Sequence, residues 1–224
     1  MMQNKRVIVI TGSIGTGKSA AVNIIKSLGF HVLDSDNIVH EGYTKGSELY
    51  FKIVTNFGND ILAEDGSIDR KKLGKIVFNK EDKLQSLNEI VHSYVRDKLR
   101  VGVEECKDKV VFLDIPLILE SMKQEKEYKI KYDEIWLIYV SSEIQRERLC
   151  LRAIKENKNP DDVLNIINKQ IPIDEKVKMV DEVINNEGTL EELEIRIKEL
   201  LKIKELGWWI YGKKTRNVRQ AKKN

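Results

Sequence analysis

The sequence predicts an α/β fold: a doubly wound, five-stranded parallel sheet entered through a P-loop and interrupted by a long helical insertion. Three features of the chain lead to it. Arg6-Val-Ile-Val-Ile-Thr11 is a β-branched run without polar alternation, the pattern of a parallel strand buried on both faces, and it runs straight into a glycine-rich loop. Further apolar runs recur at 30–33, 110–114, 134–140 and 181–184. From Asp36 to about Lys107 the periodicity is helical, with turn signals at Gly46, Gly58-Asn59 and Asp65-Gly66 and no convincing core strand.

In chain order, the first run is expected to be the central strand. Ser19 to Leu28 has helical spacing through Val22, Ile25 and Leu28, and Gly29 suits the residue after its C-cap. Phe30 to Leu33 follows as the second strand. Within the insertion the longest helix is expected over Lys83 to Val103, with Leu84, Leu87, Ile90, Val91, Tyr94, Val95 and Leu99 on one stripe. The runs Val110 to Asp114 and Glu134 to Val140 give the third and fourth strands, with Trp136 in the core, and Asp181 to Ile184 gives a weaker fifth. Between the last two lies a charged helical stretch from Ser142 to Met179, punctuated by Asn159-Pro160, an N-cap and N1 pair, and by Pro172. Thr189 and Glu192 form a capping box that opens a closing helix to about Leu206.

With 224 residues, 41% of them hydrophobic and 33% charged, the chain can bury a core and is neither disordered nor membrane-inserted by composition. The net charge of +3 is uneven: Lys213, Lys214, Arg216, Arg219, Lys222 and Lys223 stand against Glu205 alone in the last twenty residues, so the body is near −2. A nucleic-acid partner is therefore confined to the basic tail at 207–224, where Trp208, Trp209 and Tyr211 are expected to dock on the body. Cys106 and Cys150 form no CxxC pair, so two reduced, partly buried thiols are expected. Val7 to Ile10 is too short for a signal-peptide core, which places the protein in the cytoplasm.

Gly12-Ser13-Ile14-Gly15-Thr16-Gly17-Lys18-Ser19 fits G-x-x-x-x-G-K-[ST] in every fixed place and follows a strand and opens a helix, as the motif requires. The glycines let backbone N–H groups turn inward around a β-phosphate, and the helix beginning there adds its positive end. Lys18 then reaches the β- and γ-phosphates and the Ser19 hydroxyl ligates Mg²⁺. A GTPase would add an N-K-x-D motif, and Asn168-Lys169-Gln170-Ile171 lacks its Asp, so ATP is favoured. Motor and AAA-type ATPases need more chain, which leaves a small-molecule kinase.

Two further constellations accompany the loop. Asp34 and Asp36 fall at the end of the second strand, where alternation would point both carboxylates the same way. One of them would serve as general base for a hydroxyl acceptor, an effect on the order of 10²–10⁴ in rate; helix capping is the plainer alternative. Arg148 and Arg152, four apart on the helix after the fourth strand with Gln145 and Leu149 on the same face, either close over phosphates or form a solvated face.

The chain resembles the dephospho-CoA kinase family, in order, to about Leu201. The residues that carry the resemblance are Thr11 to Ser19, Val32 to Asp36 with His40, Phe57 to Leu62 with Asp65-Gly66 and Asp69-Arg70, Leu87 to His92, Asp114 to Glu120, Gln145 with Arg148-Leu149 and Arg152, Gln170, Lys176, and Asp181 to Gly188. The resemblance implies a nucleoside-monophosphate-kinase-like fold, with a core over 1–35, 108–144 and 176–206, an acceptor-binding helical insertion over 36–107 and a helical lid over 145–175. It implies ATP-dependent phosphorylation of the ribose 3′-hydroxyl of dephospho-CoA, with Asp36 as base, Asp34 beside it near the metal and the acceptor in substrate binding, and Arg148 and Arg152 in the lid. It places Arg70 and His92 in acceptor binding, and Asn186 and Gly188 at the adenine edge of the ATP pocket. A monomer is the expected state.

Ser13 departs from the usual second glycine of the loop and Ser93 from a proline common after the histidine; the first bears on ATP affinity, the second at most on a helix kink. The extension beyond Leu206 has no counterpart in the family. His31 and His40 read as packed or capping residues rather than ligands. Two other readings stay open: a different nucleotide or metabolite kinase of the same fold, and a non-catalytic P-loop module whose tail engages nucleic acid.

Overall fold

The structure, a computed structural model, describes residues 5–78, 80–123 and 130–207. Trp208, Trp209, Tyr211 and the basic residues of the tail lie outside the described residues. The elements are β1 (Arg6–Thr11), α1 (Lys18–Ser27), β2 (His31–Asp34), α2 (Ser35–Gly42), α3 (Glu48–Phe57), α4 (Arg70–Val77), α5 (Glu81–Glu105), β3 (Val110–Asp114), α6 (Ile118–Lys123), β4 (Glu134–Tyr139), α7 (Ser142–Lys155), α8 (Pro160–Ile167), α9 (Ile173–Lys176), β5 (Glu182–Asn185) and α10 (Leu190–Ile203). They fall into two compact units, one holding the described residues of Met1–Leu33 and Cys106–Asn224, the other Asp34–Glu105.

The first unit is built on a five-stranded sheet in the order β2-β3-β1-β4-β5. β1 is central because it has no face to spare for water: Val7, Ile8, Val9 and Ile10 are all buried. It pairs in parallel with β3, Ile8 opposite Phe112, and with β4, Ile8 opposite Glu134, while β5 adds to β4 with Leu137 opposite Val183. The chain therefore lays strands to one side of β1 and then to the other. The crevice at that reversal opens beyond the carboxyl end of β1, where the glycine loop starts.

One face of the sheet packs Ile8, Ile10, Phe112, Trp136, Ile138 and Ile184 against Ala21, Val22 and Ile25 of α1 and Leu193, Ile197 and Leu201 of α10. Trp136 is fully buried, as expected of it, with its ring edge-on to Phe112 at 5.5 Å. Its indole N–H donates to Glu134 at 2.9 Å, which satisfies the one polar atom that burial would otherwise strand. α1 stops where expected: the Gly29 N–H bonds the Lys26 carbonyl and the Phe30 N–H bonds the Ile25 carbonyl, the paired bonds of a Schellman ending.

Beyond Asp34, the last residue of β2, the described residues of the second unit form no β-strand, only an isolated bridge between Leu62 and Ile68. α2, α3 and α4 pack on α5, which runs unbroken through Ser93, so serine there leaves the helix continuous. Ser47 caps α3 by accepting from the Tyr50 N–H at 3.0 Å, and Asp69 caps α4 by accepting from Lys71 and Lys72 at 2.8 and 3.1 Å.

Several elements differ from expectation. β2 begins and ends one residue later than 30–33, since Phe30 closes the Schellman turn. α6 was not foreseen, because a six-residue helix following Pro116 offers less than two turns of periodicity. α10 ends at Ile203, short of Leu206.

The capping box of α10 forms in both directions: Thr189 Oγ1 accepts from the Glu192 N–H at 3.2 Å, and Glu192 accepts from the Thr189 N–H at 3.0 Å. Since α10 supplies Leu193, Ile197 and Leu201 to the core face described above, Thr189→Ala is expected to lower unfolding stability by about 1 kcal/mol, measured by urea denaturation.

Candidate active site

The loop Gly12 to Ser19 leaves the carboxyl end of β1 and turns into α1. Thr16 closes the turn through Ser13, whose carbonyl accepts from the Thr16 N–H at 3.2 Å and from the Thr16 hydroxyl at 2.9 Å. Gly15 and Gly17 have φ of 86° and 80°, in the left-handed region that favours glycine. At both, a neighbour also occupies the space of a side chain: a Cβ on Gly15 would lie 2.8 Å from Leu149 Cγ, and one on Gly17 only 2.2 Å from Asn186 Nδ2. Ser13 has no such strain, so its Cβ is tolerated there; its hydroxyl is buried with no hydrogen-bond partner among the described residues.

Gly17 is the N-cap of α1 and provides no capping side chain, and no acidic residue stands in the first turn. The first N–H groups of the helix are thus left for an anion. Lys18 projects from this turn and its ammonium is paired with the Asp114 carboxylate at the end of β3. Both side chains are largely buried, 14% and 6% exposed, so the pair is mutually dependent: either charge alone would be poorly solvated. Ser19 is exposed at the same helix start. Hydroxyl and carboxylate oxygens are the hard donors that suit Mg²⁺, so the chemistry of Ser19 and Asp114 fits that ion.

The loop is propped from behind by distant parts of the first unit. Asn186, buried after β5, donates from Nδ2 to the Thr16 carbonyl at 2.8 Å. Gln145, 2% exposed in the first turn of α7, donates to the Ile14 carbonyl at 2.7 Å. Gln170, after α8, accepts from the Ile14 N–H at 3.2 Å. Gly188 sits at the opening of α10 against the Glu192 carboxylate.

α7 carries both arginines. Arg148 is half-buried and contributes to holding the Glu187 carboxyl below the usual range, after the hydrogen bonds that Glu187 receives from Ser141 and Asn185. Arg152 is exposed and donates to Glu156 at 2.7 Å; together with Lys158 it pulls that carboxyl down to about 2. In this conformation Arg152 is part of a solvated ion cluster.

In the second unit, Asp34 and Asp36 do not point the same way by strand alternation, as the sequence suggested. The strand ends at Asp34, which becomes the N-cap of α2 and accepts from the N–H groups of Asp36 and Asn37 at 2.9 and 3.0 Å. The capping alternative therefore holds for Asp34, while Asp36 is exposed in the first helical turn. The Arg70 guanidinium lies over the Tyr43 ring at 5.0 Å. Burial pushes the Tyr43 hydroxyl up, against a smaller opposing pull from Arg70. His92 is half-buried on α5, and His40 is exposed on α2.

Comparison with known proteins decides between the kinase readings. The dephospho-CoA kinase family profile matches residues 6–192. The chain belongs to the dephospho-CoA kinase family. It is 39% identical over 198 residues to the dephospho-CoA kinase of Carboxydothermus hydrogenoformans, covering 87% of this chain and 92% of that protein. It is also 39% identical over 194 residues to that of Aquifex aeolicus, with coverage of 86% and 94%. Among solved structures, the dephospho-CoA kinase from Campylobacter jejuni aligns with a TM-score of 0.62 at 26% identity, over 88% of this chain and 96% of that one. TT1252 from Thermus thermophilus aligns with a TM-score of 0.71 at 28% identity, over 89% of this chain and 97% of that one.

As a member of the dephospho-CoA kinase family, the chain is a kinase with a nucleotide substrate. Sequence reasoning gave no role to Asp114, Gln145 or Gln170, although it noted all three. Asp114 had a readable signal, a carboxylate closing an otherwise apolar strand; the two glutamines had none, because their partner Ile14 is 131 and 156 residues away. Cys106 and Cys150 are both free thiols, half-buried as expected. His31 is not packed but exposed, and its ring lies with Cys106 Sγ and the Asp108 carboxylate in a group whose ligand atoms are within 4.8 Å of one another. No helix among the described residues is long and apolar enough to cross a membrane.

Gly17→Ala in this dephospho-CoA kinase family member forces a side chain into left-handed backbone and against Asn186. It is expected to weaken ATP binding by at least about tenfold in calorimetry, with the fold retained by circular dichroism.

Proposed function

We propose that the chain transfers the γ-phosphoryl group of ATP to the ribose 3′-hydroxyl of dephospho-CoA, giving ADP and coenzyme A. The observation that carries the proposal is the paired Lys18 ammonium and Asp114 carboxylate at the mouth of an otherwise uncapped helix, in a chain of this family. The loop amides and Lys18 bind the β- and γ-phosphates and hold the leaving oxygen in place. Ser19 would hold Mg²⁺, which would supply neutralisation of the phosphate charge.

Asp36 takes the proton from the 3′-hydroxyl as its oxygen bonds to the γ-phosphorus, and the bond from that phosphorus to the β,γ-bridging oxygen breaks, leaving its electron pair on ADP. The capping role of Asp34 supports this division: its Oδ1 accepts from two backbone N–H groups, and Asp36 is the exposed one. Arg148 and Arg152 belong to a lid over 145–175 and neutralise the transferring group, for which Arg152 exchanges Glu156 for phosphate. Arg70 and His92 bind the acceptor, within a unit whose helices share α5 as their common support. Asn186 and Gly188 border the adenine, Asn186 through its hold on the loop. A cytoplasmic monomer belongs to the same proposal.

A panel of acceptors with Mg-ATP tests it: ADP release is expected with dephospho-CoA and not with nucleoside monophosphates or shikimate, and the reverse pattern would overturn the acceptor assignment. Asp36→Asn is expected to lower kcat by on the order of 10²–10⁴ with ATP affinity little changed. Near-normal kcat in that variant would move the base elsewhere.

A further inference from the structure

Ile14 lies in the middle of the phosphate-binding loop, and both of its backbone groups are held by glutamine side chains from far along the chain. Gln145 donates from Nε2 to its carbonyl at 2.7 Å, and Gln170 accepts at Oε1 from its N–H at 3.2 Å. The two amides thus use opposite ends, each dictated by the backbone group it meets. Gln145 stands in the first turn of α7 and Gln170 just beyond α8, so they are the two roots of the α7–α8 hairpin, whose helices pack on each other.

Each root is anchored in turn. The Gln145 N–H bonds the Ser141 carbonyl at 2.9 Å, and the Ser141 N–H is held by Glu187 at 2.9 Å. Beside Gln170, the Ile171 N–H donates to Glu120 at 3.2 Å. The fully buried Lys176 ammonium sits 2.6 Å from the same Glu120 oxygen, a charge pairing whose angle falls short of a hydrogen bond. Leu149, one turn along α7, fills the space over Gly15. The loop glycines make this backbone free to move in isolation; the glutamines remove that freedom before any phosphate arrives.

We infer that Gln145 and Gln170 are positioning residues that clamp Ile14 from both sides, fixing the phosphate-binding loop in its binding shape and tying that shape to the roots of the α7–α8 hairpin. The inference rests on the nucleotide half of the function proposed above and not on the identity of the acceptor.

Gln170 is half-buried, so Gln170→Met removes the acceptor without opening the core, whereas Gln145→Met alters a buried site. Two measurements on the full chain need no acceptor: ATP binding by calorimetry with Mg²⁺, and hydrogen exchange at the Ile14 amide by NMR without nucleotide. In Gln170→Met, exchange at Ile14 is expected to quicken by at least about tenfold and the ATP Kd to rise about fivefold to tenfold. Gln170→Glu retains an acceptor oxygen and is expected to restore slow Ile14 exchange. Gln145→Met, where folded, is expected to raise the KM for ATP while the KM for dephospho-CoA stays within about twofold.

An ATP Kd within about twofold of the parent in folded Gln170→Met would overturn the clamp, as would equal Ile14 exchange in Gln170→Met and Gln170→Glu. If the parent binds Mg-ATP but does not phosphorylate dephospho-CoA, the acceptor assignment fails and the clamp is still decided by the binding and exchange results.

Discussion

The first unit depends on one constraint: a strand that is apolar on both faces must be covered on both. Val7 to Ile10 have nowhere to go but the centre of a parallel sheet, and that placement sends Thr11 and the glycines into the crevice where the strand order reverses. The helix packed on the same strand must start immediately, and its unsatisfied N–H groups therefore face the same point. Anion affinity at this place is a product of core packing, with the loop chemistry added to it.

Much of this was legible because it is local. The buried strand, the loop, the Schellman ending at Gly29 and the Thr189 capping box are each specified within a few residues of chain, and the structure has all four. What could not be read depended on competition or distance. The Asp34-Ser-Asp36 segment satisfies strand alternation on paper, yet a carboxylate followed by two free N–H groups caps a helix, and capping took the chain out of the strand before Asp36. Arg148 and Arg152 share a face as expected, but their partners differ: Glu187 lies near one and Glu156 bonds the other.

The second unit illustrates the complementary case. Its helices were foreseen as a group from periodicity and turn residues, and the long one runs over Glu81–Glu105, slightly beyond the span expected. Periodicity could not say which polar side chains on them would be drawn inward. The stacking of Arg70 on Tyr43 joins residues 27 apart whose relation only the packing of the helices supplies.

The pairing of Lys18 with Asp114 makes the loop electrically quiet. A triphosphate entering it does not meet a bare ammonium; it must replace a carboxylate as counter-ion, so the free energy gained is the difference between two salt links. The phosphates and the Asp114 carboxylate thus compete for one ammonium, and a cation arriving with the nucleotide would ease that competition.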